Sequence, residues 1–327
     1  MSLHLHRLLG ILTLASAAMA SEAFLSSVGC SHLVDPSAAG LEAAKAARDG
    51  LRGEPPRLVF VFAARPQMGD ALVQGVASVF PPNVIFGGEF YAPLAGNEDF
   101  ADQGVGIKAG IAVLAMAGSF RTRITSAEVP ATGDRTFRYG TCGSALGHAL
   151  RPGLDGPEPG KAVITFGQQH TGDNEPFAKA LTNALAHPEV PVIGGGVPGG
   201  TNGTIIVEGQ RRTGCNVAIA ICGQFTCTTG HGEPGGEPLE QTRQALQQGT
   251  ASGKIHPRLI LAFHSRTVRE QLLQRRQLTS EVALLTQMAG PGVLFGGYGS
   301  GQVVPPAWGE PSIGRGHLLA LAVFSTP

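Results

Sequence analysis

The sequence predicts a mixed α/β fold built from three copies of one unit, and three observations predict it. Apolar strand-like runs recur at 57–62 (RLVFVF), 161–166 (KAVITF) and 258–263 (RLILAF), with proline close before each. Each is followed, after a helical stretch, by a second apolar run that closes on two glycines: Gly87-Gly88, Gly194-Gly195 and Gly296-Gly297. The spacing is regular, with Phe62, Phe166 and Phe263 lying 104 and 97 residues apart and Gly88, Gly195 and Gly297 lying 107 and 102 apart. Solenoid repeats are several times shorter, so each copy is large enough to be a subdomain.

In unit one a short strand is expected from Phe24 to Gly29. Asp35-Pro36-Ser37 then supplies a polar cap and a proline at a first helical position, ahead of an alanine-rich helix reaching about Leu51. The run 58–62 is apolar at every position and reads as a strand covered on both faces. Met68, Leu72, Val76 and Phe80, spaced by four and stopped by Pro81-Pro82, predict a second helix. The double-glycine strand follows, and two more strands are expected around 100–103 and 107–117. Unit two repeats the order, with an opening strand read at Thr136, Phe137, Arg138 and Tyr139 and a helix near 144–150. A second helix is marked by Phe177, Leu181 and Leu185, with Asp173 or Asn174 as its cap. The runs 204–209 and 216–221 read as neighbouring strands. Unit three offers strand 224–227, helix 239–246, strand 258–263, a helical region 267–288 and a closing strand 318–324. Each unit thus has about five strands and two helices, too few helices to cover both faces of a wide sheet. The expected architecture is mixed sheets packed on one another with helices outside.

Composition bounds the function. The chain has 327 residues, 43% of them hydrophobic, which is enough for a substantial core. Lys+Arg and Asp+Glu are equal at 24 each, and no basic run is interleaved with aromatics, which speaks against a nucleic-acid partner. Residues 1–20 carry Arg7, an apolar run 8–18 and Ala18-Met19-Ala20, a secretory signal pattern with a small-x-small cleavage site. The expectation is a secreted or periplasmic mature protein; a buried first helix in a cytoplasmic protein and an organelle transit peptide are the alternatives. No later segment approaches the ~20 apolar residues of a membrane span. Five cysteines, Cys30, Cys142, Cys215, Cys222 and Cys227, are too few for a disulfide framework.

Local motifs for catalysis are weak. Gly194 to Gly199 fits G-x-G-x-x-G, but proline, glycine and a strand follow it where a dinucleotide site needs a helix. The phosphate-loop-like stretches 156–161 and 249–254 are one residue short between glycines and lack the Ser/Thr after lysine. No H-E-x-x-H or G-x-S-x-G is present. Cys215 and Cys222 are an odd number apart on one strand and must face opposite sides, so with Cys227 and His231 they cannot form one metal site. A Cys222–Cys227 disulfide and two buried thiols both fit the spacing. Histidines 32, 148, 170, 231, 264 and 317 are scattered, and a structural role suits any single one.

The helix, proline and strand "GLEAAKAARDGLRGEPPRLVFVFAA", the double-glycine strand, "GIAVLAMAG", and "LFGGYGSGQVVPP" followed by "GHLLALAVF" resemble the FIST sensory domain, in both its N-terminal and C-terminal halves. The resemblance runs from about Phe24 to Phe324. It divides the mature chain into an N-type region at 21–223, holding units one and two, and a C-type region at 224–327, holding unit three. It implies a non-enzymatic module of signal transduction that binds a small molecule such as an amino acid; some relatives bind haem and report nitric oxide, which makes haem a candidate cofactor. The signalling partner is not implied. Two departures bear on the ligand: Phe263-His264-Ser265-Arg266 stands where the family often has Phe-Ser-Cys with a following arginine, and Gly301-Gln302-Val303 where it usually has Gly-Glu-Ile. The loops after the glycine pairs are the expected pocket, with Gly88, Glu89, Gly195, Gly196, Arg266, Gly297, Tyr298, Gln302 and His317 as ligand-binding candidates. The competing reading is a hydrolase in the same cleft, which needs Cys30 or Cys142 within hydrogen-bond reach of a histidine.

Overall fold

The computed structural model describes residues 24–96, 98–99, 110–168, 173–198, 202–233, 235–251, 256–304, 313–315 and 319–326. The leader expected at 1–20, the strand expected at 100–103, His170 and His317 lie outside them. Unit one contains β1 (Leu25–Ser31), α1 (Pro36–Asp49), β2 (Leu58–Ala64), α2 (Asp70–Ala77), β3 (Ile85–Phe90), β4 (Ala92–Ala95), β5 (Glu98–Asp99) and β6 (Ile111–Ala117). Unit two contains β7 (Phe120–Glu128), α3 (Arg135–Leu154), β8 (Gly160–Gly167), α4 (Asn174–Leu185), β9 (Val192–Gly196), β10 (Ile205–Val207), β11 (Gln210–Arg212) and β12 (Cys215–Gly223). Unit three contains β13 (Thr226–His231), α5 (Pro238–Gly249), β14 (Pro257–Ser265), α6 (Arg266–Gln274), α7 (Leu278–Ala289), β15 (Val293–Gly299), β16 (Gly301–Val304), β17 (Ile313–Arg315) and β18 (Leu319–Ser325).

Local chemistry accounts for the helix starts. Asp35 caps α1, its Oδ1 accepting from Ala38 N at 2.7 Å with Pro36 in the first turn. Asp134 does the same for α3, accepting from Phe137 N at 2.8 Å. That cap corrects one expectation: Thr136 to Tyr139 are the first turn of α3, not a strand, and unit two opens instead on β7. Asp173 does stand at the cap position of α4, but its side chain makes no capping bond there.

The strands form three six-stranded mixed sheets, ordered β1-β6-β2-β3-β10-β11, β7-β12-β8-β9-β16-β17 and β13-β18-β14-β15-β4-β5. They are called A, C and B in that order. In each, the repeated apolar strand pairs parallel with the double-glycine strand and antiparallel with the unit's last strand. The fifth and sixth strands of each sheet are foreign. Unit two lends β10–β11 to unit one's sheet, unit three lends β16–β17 to unit two's, and unit one lends β4–β5 to unit three's. Each unit therefore contributes six described strands rather than five. The runs 204–209 and 216–221 are not neighbours, because β10 has left for sheet A while β12 stays in sheet C.

The core has a central part and three satellites. Leu58, Phe60 and Phe62 of β2, Ala162, Ile164 and Phe166 of β8, and Leu259, Leu261 and Phe263 of β14 point into one shared core. The alternate residues Val59 and Val61, Val163, and Ile260 and Ala262 point outward, beneath the helices of their own units. Helices lie outside the sheets, as expected. Phe62 meets Phe166 and Phe263 with ring centroids 6.0 and 6.1 Å apart, and the three phenylalanines face Gly88, Gly195 and Gly297 across equivalent parallel registers. The first glycine of each pair is required by close approach. A Cβ on Gly87, Gly194 or Gly296 would run into the carbonyl oxygen of Val61, Thr165 or Ala262 on the adjacent strand.

None of the five cysteines is joined in a disulfide. Cys215 faces the central core and Cys222 the helix side of the same strand, as their spacing requires; Cys227 is in the central core, so Cys222 and Cys227 form no disulfide. Among the described residues no helix is long and apolar enough to cross a membrane.

Candidate functional site

Ligands of parallel α/β layers sit beyond the carboxyl ends of the strands, where side chains from different elements converge. The three glycine-closed ends of β2–β3, β8–β9 and β14–β15 are such places, and each carries buried polar groups of a different kind.

At the end of sheet B, His264 on β14, Tyr298 on β15 and Glu281 on α7 are enclosed, at 2%, 0% and 0% exposure. His264 Nδ1 stands 2.8 Å from Glu281 Oε1, Thr242 Oγ1 donates to the same oxygen at 2.8 Å, and Tyr298 OH donates to Oε2 at 2.5 Å. The imidazole and phenol rings stack at 5.5 Å. Burial alone would push the Glu281 carboxyl up; His264, Tyr298 and Thr242 outweigh it and hold the group below the usual carboxylate range. Arg269 lies 5.5 Å from the Tyr298 ring, and Arg266 lies 4.5 Å from the ring of Tyr91 while binding Glu270 at 2.6 Å.

At the end of sheet A, Glu89 is buried and Arg65 Nε approaches it at 2.9 Å from an exposed side chain. Desolvation dominates there and raises the Glu89 carboxyl despite Arg65. Counting from the paired phenylalanines and glycines, Arg65 and Glu89 occupy the places that Arg266 and Tyr298 hold in unit three.

The end of sheet C is a row of Asn216, Gly167, Gly196 and Gly301 on four adjacent strands. The Asn216 side chain folds over Gly167 and that of Asn174 over Gly301, in both cases where a Cβ would stand. Asp173 pairs with Arg135 at 2.8 Å, and burial together with that carboxylate pushes the Tyr139 phenol up to about 12.

The candidates read from sequence fall into three groups. Gly195, Gly196, Gly297 and Gln302 come together near Phe90 and Phe263: a Cβ on Gly195 would meet Phe263 Cδ1 at 2.9 Å and one on Gly297 would meet Phe90 Cδ1 at 2.8 Å. Gly88 and Glu89 belong to the end of sheet A, where Val197 Cγ1 lies 2.8 Å from a Cβ built on Gly88. Arg266 and Tyr298 belong to the end of sheet B. The glycines are thus covered by neighbouring side chains.

Sequence reasoning missed Glu281, Thr242, Asn174, Gln168, Asn216 and Tyr91. Glu281 had a readable signal, since it stands in the apolar stripe of α7 four residues before Leu285 and eight before Ala289, all buried. Asn174 likewise precedes the buried Phe177, Ala178 and Leu181 of α4.

Among the described residues Cys142 meets no histidine. Its sulfur contacts Ala127 O and Asn216 Nδ2, each at 3.5 Å, and burial pushes the thiol up to about 12. Burial also raises the Cys215, Cys222 and Cys227 thiols.

Residues 57–248 match the family model of the FIST N domain, which is more than half of the chain. The chain belongs to the FIST family. No curated protein matches it in sequence. Two solved structures align with 93% of this FIST chain and 100% of their own length: a cyanuric acid hydrolase described as an evolutionary innovation by structural concatenation, at 12% identity and a TM-score of 0.43, and the cyanuric acid hydrolase of A. caulinodans, at 10% and 0.44. Likeness at that level says nothing of the chemistry of the FIST chain. Haem does not fit what surrounds the buried histidine, because His264 is packed between the Glu281 carboxylate and the Tyr298 ring.

Proposed function

We propose that this FIST chain is a non-enzymatic sensory module of signal transduction, which binds a small molecule at the glycine-closed carboxyl ends of its parallel strand pairs. One observation carries the reading: the three units share a nearly uniform apolar core but differ at these ends, where buried polar side chains gather. Divergence confined to strand ends is what a scaffold shows when its loops and termini carry recognition. The four buried thiols favour binding over turnover, since a cysteine nucleophile needs a lowered pKa and theirs are raised. An extracytoplasmic site of action, after removal of residues 1–20, is part of the same proposal.

A thermal-shift screen of the full chain against amino acids and haem tests it, because a ligand that binds only the folded state raises Tm by mass action. At 100 times Kd the gain is about 2.7 kcal/mol. Arg266→Ala, at an exposed side chain, is expected to reduce any shift given by a carboxylate-bearing ligand without lowering the Tm of the free protein. Tyr298 is a poorer probe than its sequence position suggested: its buried hydroxyl holds Glu281, so its loss disturbs the fold as well. Turnover of a screened compound, abolished by Cys30→Ala, would replace this reading with the hydrolase one.

A further inference from the structure

The outer face of α3 is unlike those of the corresponding helices in units one and three. Each of the three follows the opening strand of its unit. α1 turns Glu42, Lys45 and Asp49 to solvent, and α5 turns Glu240, Arg243 and Gln247. On α3 no acid, lysine or arginine stands between Arg138 and Arg151. Its outer residues Phe137, Gly140, Thr141, Ser144, Ala145 and His148 line one surface groove of about 570 Å³ instead. Phe137 is 58% exposed and is the one aromatic among the large hydrophobic side chains exposed in the described residues. The opposite side of the helix is its core side, where Tyr139, Cys142, Leu146 and Leu150 are buried. α3 thus presents weakly polar surface on two opposite faces, and only one of them is covered by its own chain.

Spacing names the occupant of the other face. Phe137, Thr141, Ser144 and His148 are separated by four, three and four residues, the alternation of a coiled-coil seam. The set is also symmetric about the point between Cys142 and Gly143. Reversing the helix about that point exchanges Phe137 with His148, Thr141 with Ser144, Gly140 with Ala145, and Asp134 with Arg151. A second copy of α3 laid antiparallel on the first therefore sets ring on ring, small residue on small residue, and carboxylate beside guanidinium at both ends. Such a contact is isologous, so each favourable pair occurs twice. The short side chains in the middle let the two axes approach to about 8–10 Å, and antiparallel helix dipoles attract.

The charges at the two ends are placed for this pairing. Asp134 uses one oxygen to cap α3, accepting from Phe137 N at 2.8 Å, which leaves the other for Arg151 of the second copy. Arg151 is exposed and makes no ion pair among the described residues. The remaining arginines of α3 are engaged within the chain, Arg135 by Asp173 at 2.8 Å and Arg138 by Pro130 O at 2.5 Å. An acid at a helix start and a cation at its end suit any single helix, but they do not account for an exposed phenylalanine beside a groove of small residues. We propose that the outer face of α3 is the dimer interface of this chain, covered by a second copy in an antiparallel, two-fold helix pair. The interface is small. One helix face falls below the about 1,200 Å² that stable complexes bury, so the dimer is reversible and depends on concentration. The proposal stands apart from the ligand-binding reading, and the outcome for one does not decide the other.

Sedimentation velocity of the full chain from ~1 μM to ~1 mM tests it, with the Tm of each variant as the control for folding. The wild type is expected to pass from monomer to dimer in that range. Thr141→Arg puts a charge from each copy into the middle of the seam and Phe137→Ala removes the ring, and each is expected to weaken dimerisation tenfold or more. Both side chains are exposed, so the Tm is expected to stay that of the wild type. Arg151→Glu turns the attraction at each end into repulsion and is expected to weaken the dimer as well. Should a central variant lose Tm, Arg151→Glu at its exposed helix end carries the test. The register has its own readout: with Cys30 replaced by alanine, Thr141→Cys chains mixed with Ser144→Cys chains are expected to become disulfide-linked in air faster than either chain alone, because the two positions face each other. A wild type that stays monomeric throughout, a dimer that these variants leave unchanged, or cross-linking of like with like as fast as the mixed reaction would each overturn the proposal.

Discussion

Replacing Glu281 by glutamine keeps the shape of the side chain and removes its charge, at a position with no contact to solvent. The carboxylate receives Tyr298 OH at 2.5 Å and Thr242 Oγ1 at 2.8 Å and faces His264 Nδ1 at 2.8 Å. Glutamine keeps an oxygen toward Thr242 and His264 but turns an NH2 to the Tyr298 hydroxyl, which loses the acceptor it donates to, and the negative charge beside His264 is removed. Hydrogen bonds to charged groups contribute about 1.5–3 kcal/mol, and breaking one side of a buried pair costs about 3–5 kcal/mol, so Glu281→Gln should lose roughly 3–5 kcal/mol at pH 7. That is a large part of a domain stability of about 5–15 kcal/mol. Urea unfolding followed by circular dichroism measures it, and pH gives the control. The Glu281 carboxyl is held below the usual carboxylate range, so its stabilisation is present above that range and fades as pH falls through the depressed value. The gap between wild type and variant must therefore narrow below about pH 4.5. Glu158, lowered to about 2 by Arg121, and Glu89, raised by burial, also change the pH profile, in opposite directions, but both are present in the two proteins and cancel in the difference. A variant as stable as wild type at pH 7, or a deficit unchanged in acid, would refute the reasoning.

Phe166→Ala is expected to cost about 3–5 kcal/mol in the same unfolding assay, because the ring is wholly buried against Phe60 and Phe62 and its loss opens a cavity in the shared core. A loss below about 1 kcal/mol, far under the range for a buried phenylalanine, would mean that it does not anchor that core. In thiol titration of the native protein, only the half-buried Cys30 should react quickly, with Cys142, Cys215, Cys222 and Cys227 reacting on unfolding. Fast labelling of a second thiol would contradict their burial.

Much of the scaffold was legible because its signals are repeated and local. The apolar runs ending at Phe62, Phe166 and Phe263 became β2, β8 and β14, and the glycine pairs became strand ends where the adjacent backbone comes too near for a side chain. Asp35-Pro36 gave the start of α1 for the reason expected, a cap and a preset φ. The reading failed at Thr136 to Tyr139, where three residues suited to strands lie in a helix started by Asp134. It also passed over Glu281, which breaks the apolar stripe of α7 in plain view, because a lone acid in a stripe is identified only once His264 and Tyr298 are known to stand opposite. The placing of Asn216 over Gly167 and of Asn174 over Gly301 depends on which strands and helices meet at that end, which no local pattern encodes.

The exchange of hairpins is the step that local reading could not reach, and it ties the three units together. A strand's periodicity fixes which face is buried but not which edge it joins, so β10, β16 and β4 carry no mark of the sheets they enter. Each double-glycine strand would be an open edge without the hairpin of another unit, since β3 pairs with β10, β9 with β16 and β15 with β4. No unit completes its own sheet, so the three depend on one another for their paired edges. The same exchange composes each candidate site from two units: Gln302 of unit three stands over Gly195 of unit two, and Tyr91 of unit one meets Arg266 of unit three. A ligand held at such an end, as proposed above, would touch two units at once, so its binding energy would act on the seam between them.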